Sequence, residues 1–187
     1  MSNAAISSRY STPVIALHWL TFVLVVAGYC AMEFREIFDR GTPGREFMKA
    51  SHFTIGLCIL LITIARLIVR TTSGPAPAIV PPLPALMAAG SKLLHLALYG
   101  FLIAMPILGW LTLSAEGKVI PFFGVGIPPL TGADKALAEW VGEWHETLGK
   151  AGYVLIGLHA LAAIVHHRYI KDNTLIRMMP ARGESSA

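Results

Sequence analysis

The stretch WHETLGKAGYVLIGLHA, residues 144–160, decides the fold. It is apolar enough to lie in lipid, yet it carries two histidines, His145 and His159, fourteen residues apart. On an α-helix that spacing is nearly four whole turns. Both rings then project from about the same face, roughly 21 Å apart along the axis. One helix thus offers the same nitrogen ligand at two depths.

The rest of the chain has the composition of a membrane protein. Of 187 residues, 55% are hydrophobic and only 14% are charged, with a mean hydropathy of +0.61. A water-soluble domain carries roughly 25% charged residues, so much of this surface is expected to face lipid. The formal net charge of +4 is modest and the Lys and Arg residues are scattered, which argues against a nucleic-acid partner. Cys30 and Cys58 both lie in apolar runs and form no CxxC, so neither a disulfide framework nor a thiolate metal site is expected. The absence of CxxCH argues against covalently attached haem. The opening residues MSNAAISSRYSTP lack the pattern of a cleaved secretory signal, so the first apolar run is expected to remain as an anchor.

A membrane-spanning helix needs about 20 mostly apolar residues. Four segments qualify, at approximately 13–33, 47–69, 86–113 and 144–169. The fold class is therefore an all-α integral membrane four-helix bundle, a single membrane domain over 1–187. Ser11 or Thr12 can cap the first helix, with Pro13 suited to its first turn. The second can begin at Pro43 after a Thr42 cap. Pro106 should kink the third. The fourth can start near Ala133, with Thr131 as cap and Asp134 as its partner, and so project beyond the membrane. The proline-rich residues 75–84 form a stiff connector. The apolar PFFGVGIPP, residues 121–129, either dips into the outer interface or covers the edge of a cofactor.

Loop charges set the orientation. One side carries both termini and the second loop, with Arg9, Arg66, Arg70, Lys92, Arg168, Lys171, Arg177 and Arg182 against Asp172 and Glu184. The other carries seven basic and nine acidic residues. Eight Lys/Arg against seven discriminates weakly, but the excess reads as both termini on the cytoplasmic side. Arg66 and Arg70 read as anchors on that side, and either could pair a haem propionate.

Ionisable side chains at bilayer depth are costly, and all seven histidines fall in or beside the spans. Two levels emerge. His52 and His145 lie at the outer level. His18, His159 and His95 lie at the inner one. His166 and His167 sit at the inner mouth of the fourth span. A haem iron held by two imidazoles needs one neutral nitrogen from each of two facing helices. Two b-type haems stacked across the bilayer use four such histidines and explain the spacing in residues 144–160. The depth argument pairs His52 with His145 and leaves His159 a choice between His18 and His95. Zinc is the rival metal, but no carboxylate or cysteine converges on these positions, and His145-Glu146 fails as HExxH because residue 149 is Gly. Gly56, Gly109, Gly149, Gly152 and Gly157 offer room beside the histidines, for a flat macrocycle or for ordinary close helix packing.

Several motifs carry a family resemblance: ALHWL around His18, YCAMEFRE over 29–36, SHFTIGL around His52, WHETLGKAGYVLIGLHA, and HHRYIKDNTLIRMMP over 166–180. From about Tyr10 to Pro180 the chain resembles the prokaryotic cytochrome b561 family, which is related to the di-haem b subunits of formate dehydrogenases and nickel-iron hydrogenases. It looks most like the stand-alone, superoxide oxidase-like members. The resemblance implies two haem b groups, with His52 and His145 on the outer iron and His18 and His159 on the inner one. It leaves His95 without an iron, near the inner haem. The implied activity is an oxidoreductase that oxidises superoxide to oxygen and passes electrons to ubiquinone, with no obligatory protein partner. Ubiquinone needs protons, which makes His95, His166 and His167 the quinone candidates. Arg35, Arg45, Lys49 and Lys118 are candidates for steering the superoxide anion, unless they only pair with local acids. Two other readings remain. One is a di-haem conduit from a partner dehydrogenase or periplasmic donor to quinone. The other is a haem-free membrane protein that handles protons or metal.

Overall fold

The computed structural model describes residues 9–180; Arg182 and Glu184, which entered the loop-charge argument, lie outside the described residues. Four long helices dominate: α1 (Thr12–Phe34), α2 (Pro43–Thr72), α3 (Ala85–Ala115) and α4 (Lys135–Val165). Each contains a window long and apolar enough to cross a membrane. At about 1.5 Å per residue the 30 residues of α2 exceed a hydrocarbon core of roughly 30 Å, so its ends reach the interfaces. Large apolar side chains such as Val23, Leu61, Leu93 and Ile164 are exposed around the outside of the bundle, as lipid contact requires. The four-helix membrane bundle read from the sequence is the observed fold.

The helices pair as α1 with α2 and α3 with α4, with α2 also lying along α3. The two pairs meet directly along α2 and α3, and α1 reaches α4 through long side chains. Tyr29 of α1 donates to the Gly149 carbonyl of α4 at 2.7 Å, and Tyr153 of α4 donates to Glu33 of α1 at 2.7 Å. This leaves the middle of the bundle lined by histidines.

The helix starts follow local sequence. Ser11 and Thr42 occupy the N-cap positions of α1 and α2 with extended backbone, each followed by proline in the first turn. For α4 the expectation needs correcting: Asp134 itself is the cap, its carboxylate accepting from the Leu137 N–H at 3.0 Å, and the helix begins at Lys135. Thr131 stands in the preceding loop. Asp134 can accept from the first turn directly, so no box is needed. Pro106 sits buried inside a continuous α3.

Residues 121–129 contribute an element absent from the all-helical reading. A two-stranded antiparallel hairpin joins β1 (Ile120–Phe122) to β2 (Val125–Ile127). Its two-residue turn places Phe123 at φ 49 and Gly124 at φ 83, the left-handed pair that such hairpins demand. Ile120 is buried against Leu57 of α2 and Leu113 of α3, with Phe53 and Trp110 around it. The Trp110 indole donates to the Pro128 carbonyl at 3.0 Å. The hairpin thus covers the outer ends of α2 and α3, next to His52, while Phe123 and Val125 stay exposed at its tip.

The opposite end is closed by residues 166–180. A π-helical turn (His166–Ile170) ends at Lys171 with φ 60, and Asp172 folds back so that its carboxylate accepts from His166 Nδ1 at 2.5 Å and from the Thr174 N–H at 2.8 Å. Asn173 bonds the connector between α2 and α3 through the carbonyls of Ala78 and Val80 and the N–H of Val80. Arg177 donates to the Pro77 carbonyl and lies over the Tyr10 ring, and the Trp19 indole donates to the Met178 carbonyl at 2.8 Å. The HHRYIKDNTLIRMMP motif is therefore a clasp. It ties the end of α4 to the start of α1 and to the proline-rich connector.

Candidate functional site: two imidazole pairs in the bundle

The histidines meet as two pairs. His52 of α2 faces His145 of α4, with ring centres 6.1 Å apart and planes at 90°. His18 of α1 faces His159 of α4, also at 6.1 Å, with planes at 63°. Two imidazoles on opposite sides of one metal, each at a metal–nitrogen bond of about 2.0 Å, hold their ring centres roughly 6 Å apart. Both pairs match that separation. All four rings are half-buried, while His95 and His167 are exposed. His95 of α3 nonetheless lies 5.5 Å from His159.

The hydrogen bonds test whether the rings suit iron. At the outer pair, His52 Nδ1 donates to the Gly28 carbonyl at 3.0 Å, which puts its proton there and leaves Nε2 with a free lone pair. Gly109 gives His145 room: a Cβ at that position would stand 3.2 Å from the His145 ring. His145 Nδ1 is buried and turned toward the Met105 backbone of α3, which can take its proton and leave Nε2 free. Apart from its own stretch of helix, nothing lies within 4 Å of where a Cβ on Gly56 would sit, one turn beyond His52, so a flat macrocycle has space there. The outer pair fits a haem iron on each of these points.

The inner pair differs. Arg66 of α2 places Nη2 3.2 Å from His18 Nδ1, and its guanidinium lies 5.5 Å from the centre of the Tyr99 ring. His95 Nδ1 donates to the Ser91 carbonyl of its own helix at 2.6 Å. Sequence reasoning missed the Arg66–His18 contact. The signal was present: Arg66 follows His52 by fourteen residues, the same spacing that places His145 and His159 on one face of α4. The remaining glycines divide. Gly152 accommodates the Tyr29 hydroxyl and the Phe101 ring, Gly149 lies against Met105, and Gly157 faces open space.

The four outer cations each meet an acid. Arg35 and Arg45 share Glu36 at 2.8 and 3.0 Å, Lys49 pairs with Glu46 at 2.7 Å, and Lys118 pairs with Glu116 at 2.9 Å. Only the Arg35–Arg45–Glu36 group has more cations than carboxylates among these pairs. At the other end, His166 is held by Asp172, whose side chain is fully buried. Burial alone would raise that carboxyl. The hydrogen bonds from His166 and Thr174 outweigh it and hold Asp172 below the usual carboxylate range. Among the described residues no group of three or more His, Cys, Asp and Glu side chains gathers around a common point.

Comparison with known proteins agrees with this architecture. The profile described as "Prokaryotic cytochrome b561" matches residues 9–181. The chain is 37% identical to "Cytochrome b561 homolog 1" of Escherichia coli (strain K12), over 94% of this chain and 99% of that protein. It is 35% identical to "Probable superoxide oxidase CybB" of Yersinia pestis, over 93% and 97% respectively. It is 31% identical to "Cytochrome b561 homolog 2" of Escherichia coli (strain K12), over 100% and 98%. With paired imidazoles inside four spanning helices and a match along nearly its whole length, the chain belongs to the prokaryotic cytochrome b561 family, multi-pass membrane proteins that use b-type haem for electron transfer.

Proposed function

We propose that the chain is a superoxide:ubiquinone oxidoreductase that holds two haem b groups. His52 and His145 bind the outer one; His18 and His159 bind the inner one. The observation that carries this reading is the pair of imidazole couples with equal 6.1 Å separations. Each haem, when bound, supplies a one-electron iron couple. The chain's own residues do the rest. The Gly28 carbonyl fixes the ring orientation and proton position of His52. The hairpin packed over α2 and α3 limits water access beside the outer pair. Arg35 lies about two turns beyond Gly28, and with Arg45 it gives the outer end a positive group that attracts a small anion.

Two superoxide anions release two molecules of oxygen and two electrons. One ubiquinone takes those electrons with two protons and becomes ubiquinol. Protons are needed only at the quinone. His166, oriented by the buried Asp172, holds one at Nδ1, and the exposed His95 and His167 sit at the same end. The proposed location is the bacterial inner membrane with both termini in the cytoplasm. Superoxide is then met outside and protons are drawn from within.

The name of one relative, "Probable superoxide oxidase CybB", supports this activity for that protein and by extension here. A second reading, a di-haem conduit fed by a partner dehydrogenase or a periplasmic donor, is favoured by one observation: each outer cation already pairs with an acid. Stopped-flow mixing of the oxidised protein with superoxide separates the two. Reduction of both haems far faster than by a slow chemical donor supports superoxide oxidation. Reduction no faster than by that donor rejects it and leaves the conduit. A purified protein without a sharp b-type band on reduction rejects both and returns the haem-free reading.

A further inference from the structure

Arg66 is a cation inside a spanning helix with no carboxylate among the described residues within ion-pair distance. A charge at this depth is expensive unless it meets a counter-charge. Its two contacts are both neutral, the Nδ1 atom of His18 and the face of Tyr99. Arg70, one turn further on, is different: it donates to the Gly74 carbonyl at 2.9 Å, lies over Tyr10, and stands at the helix end. The sequence could not separate these two arginines. Their surroundings do.

The contact with His18 also has a chemical consequence. A guanidinium only donates, so His18 Nδ1 accepts. A neutral imidazole that accepts at Nδ1 carries its proton on Nε2, and that nitrogen then has no lone pair for a metal. Ligation through Nε2 requires Arg66 to leave Nδ1 so that the proton can move there. What would draw a guanidinium away is an anion with matching geometry, and a carboxylate takes Arg in a two-pronged contact. The fourteen-residue spacing from His52 puts Arg66 at the inner level on the face of α2 that presents His52 to the outer one.

We propose that Arg66 binds a propionate of the inner haem, and that this contact releases His18 Nδ1 so that His18 can ligate. The inference rests on the haem reading above but not on superoxide as substrate. Loading and ligation are then coupled: the carboxylate that arrives with the cofactor takes the cation that holds the ligand in the wrong tautomer. A cation beside the haem also favours the reduced iron.

The test uses purified holoprotein of the wild type, Arg66→Gln, Arg66→Lys and Arg70→Gln. Haem content is read by the pyridine haemochrome assay, and both haem potentials by optical redox titration. In Arg66→Gln, one haem is expected to be lost in part. In the molecules that keep it, its reduced-to-oxidised ratio at fixed ambient potential falls roughly tenfold, as expected for removal of one charge at a separation of about 12 Å in a medium of effective dielectric about 20. The other haem is unchanged. Arg66→Lys restores most of the ratio, and Arg70→Gln matches the wild type. Reconstitution of the apoprotein with haem dimethyl ester guards against a merely misfolded variant. The wild type should discriminate against the ester at the inner level, and Arg66→Gln should not. Full haem content with both potentials unchanged in Arg66→Gln overturns the proposal. So does equal uptake of ester and free acid by the wild type. A wild type lacking b haem altogether overturns this inference together with the haem reading, whereas two haems that fail to react with superoxide leave it standing.

Discussion

His52 donates its Nδ1 proton to the carbonyl of Gly28 at 3.0 Å, across the packed faces of α2 and α1. That one bond decides which nitrogen faces the middle of the bundle. A backbone carbonyl cannot rotate away, so the ring is held in a ligand-ready tautomer before any cofactor arrives. Loss of either member of a pair should cost one haem and spare the other. His52→Ala and His145→Ala should each retain about half of the wild-type pigment, and so should His18→Ala and His159→Ala. The double variant His145→Ala/His159→Ala should retain none. His95→Ala should keep both haems, because His95 is exposed whereas His18 and His159, which the family resemblance gives to the inner iron, are half-buried. Haem per protein by absorbance checks all six variants, and a colourful double variant would sink the assignment.

The clasp at the inner end predicts a pH effect of definite sign. Asp172 is an acid held below its ordinary value of 3.8 by His166 and Thr174 against the opposing effect of burial. Such a group stabilises the fold at pH above its ordinary value, and the contribution is lost as pH falls through the folded value. The unfolding temperature of the wild type should therefore drop more steeply below pH 3.8 than that of Asp172→Asn. At neutral pH, Asp172→Ala should lose about 1–3 kcal/mol by leaving buried donors unsatisfied. Thermal scans of the two proteins across a pH series give the comparison, and parallel curves would argue against the clasp.

Much of this architecture is legible in the sequence because lipid enforces simple rules. Helices must satisfy their own backbone, so apolar length alone marks α1 to α4. Fixed rise per residue turns spacing into depth, which is why His52 and His145 pair on paper as they do in space. The choice between His18 and His95 is not legible in spacing, because both stand at similar range from His159; burial favours His18, as the family resemblance does. The hairpin at residues 120–127 escapes because three-residue strands carry no usable period. The clasp escapes because the bonds that tie it to the rest of the bundle join residues some ninety or more positions apart, as Asn173 does with Val80.

Electrostatic steering makes a prediction that separates the four outer cations. Arg35 and Arg45 share one carboxylate, whereas Lys49 and Lys118 each have their own. Neutralising Arg35 or Arg45 to Gln should slow reduction by superoxide severalfold at low ionic strength and flatten its salt dependence. Lys49→Gln and Lys118→Gln should change the rate less. Arg45 needs care, since it also donates to the Phe38 carbonyl at 3.0 Å, so its variant must first be shown to keep both haems. Rates measured over a salt series decide the matter. Equal, salt-independent rates in all four variants would mean that this surface does not gather the anion.

Gly152 offers the sharpest packing test. A Cβ there would collide with the Tyr29 hydroxyl and with the Phe101 ring, which stands 2.8 Å away at its Cε2 atom. Tyr29 cannot easily yield, because its hydroxyl is tied to the Gly149 carbonyl at 2.7 Å and its ring stacks on Tyr153 at 4.3 Å. Gly152→Ala should therefore force α4 away from α1 and destabilise the bundle by about 1–3 kcal/mol, despite the better helix propensity of alanine. Tyr29→Phe removes the colliding oxygen together with its bond. If the collision is the cause, Gly152→Ala should cost less in the Tyr29→Phe background than in the wild type. Unfolding midpoints of the four proteins in one detergent supply the cycle. Strict additivity would mean that Gly152 is required for some reason other than room for Tyr29.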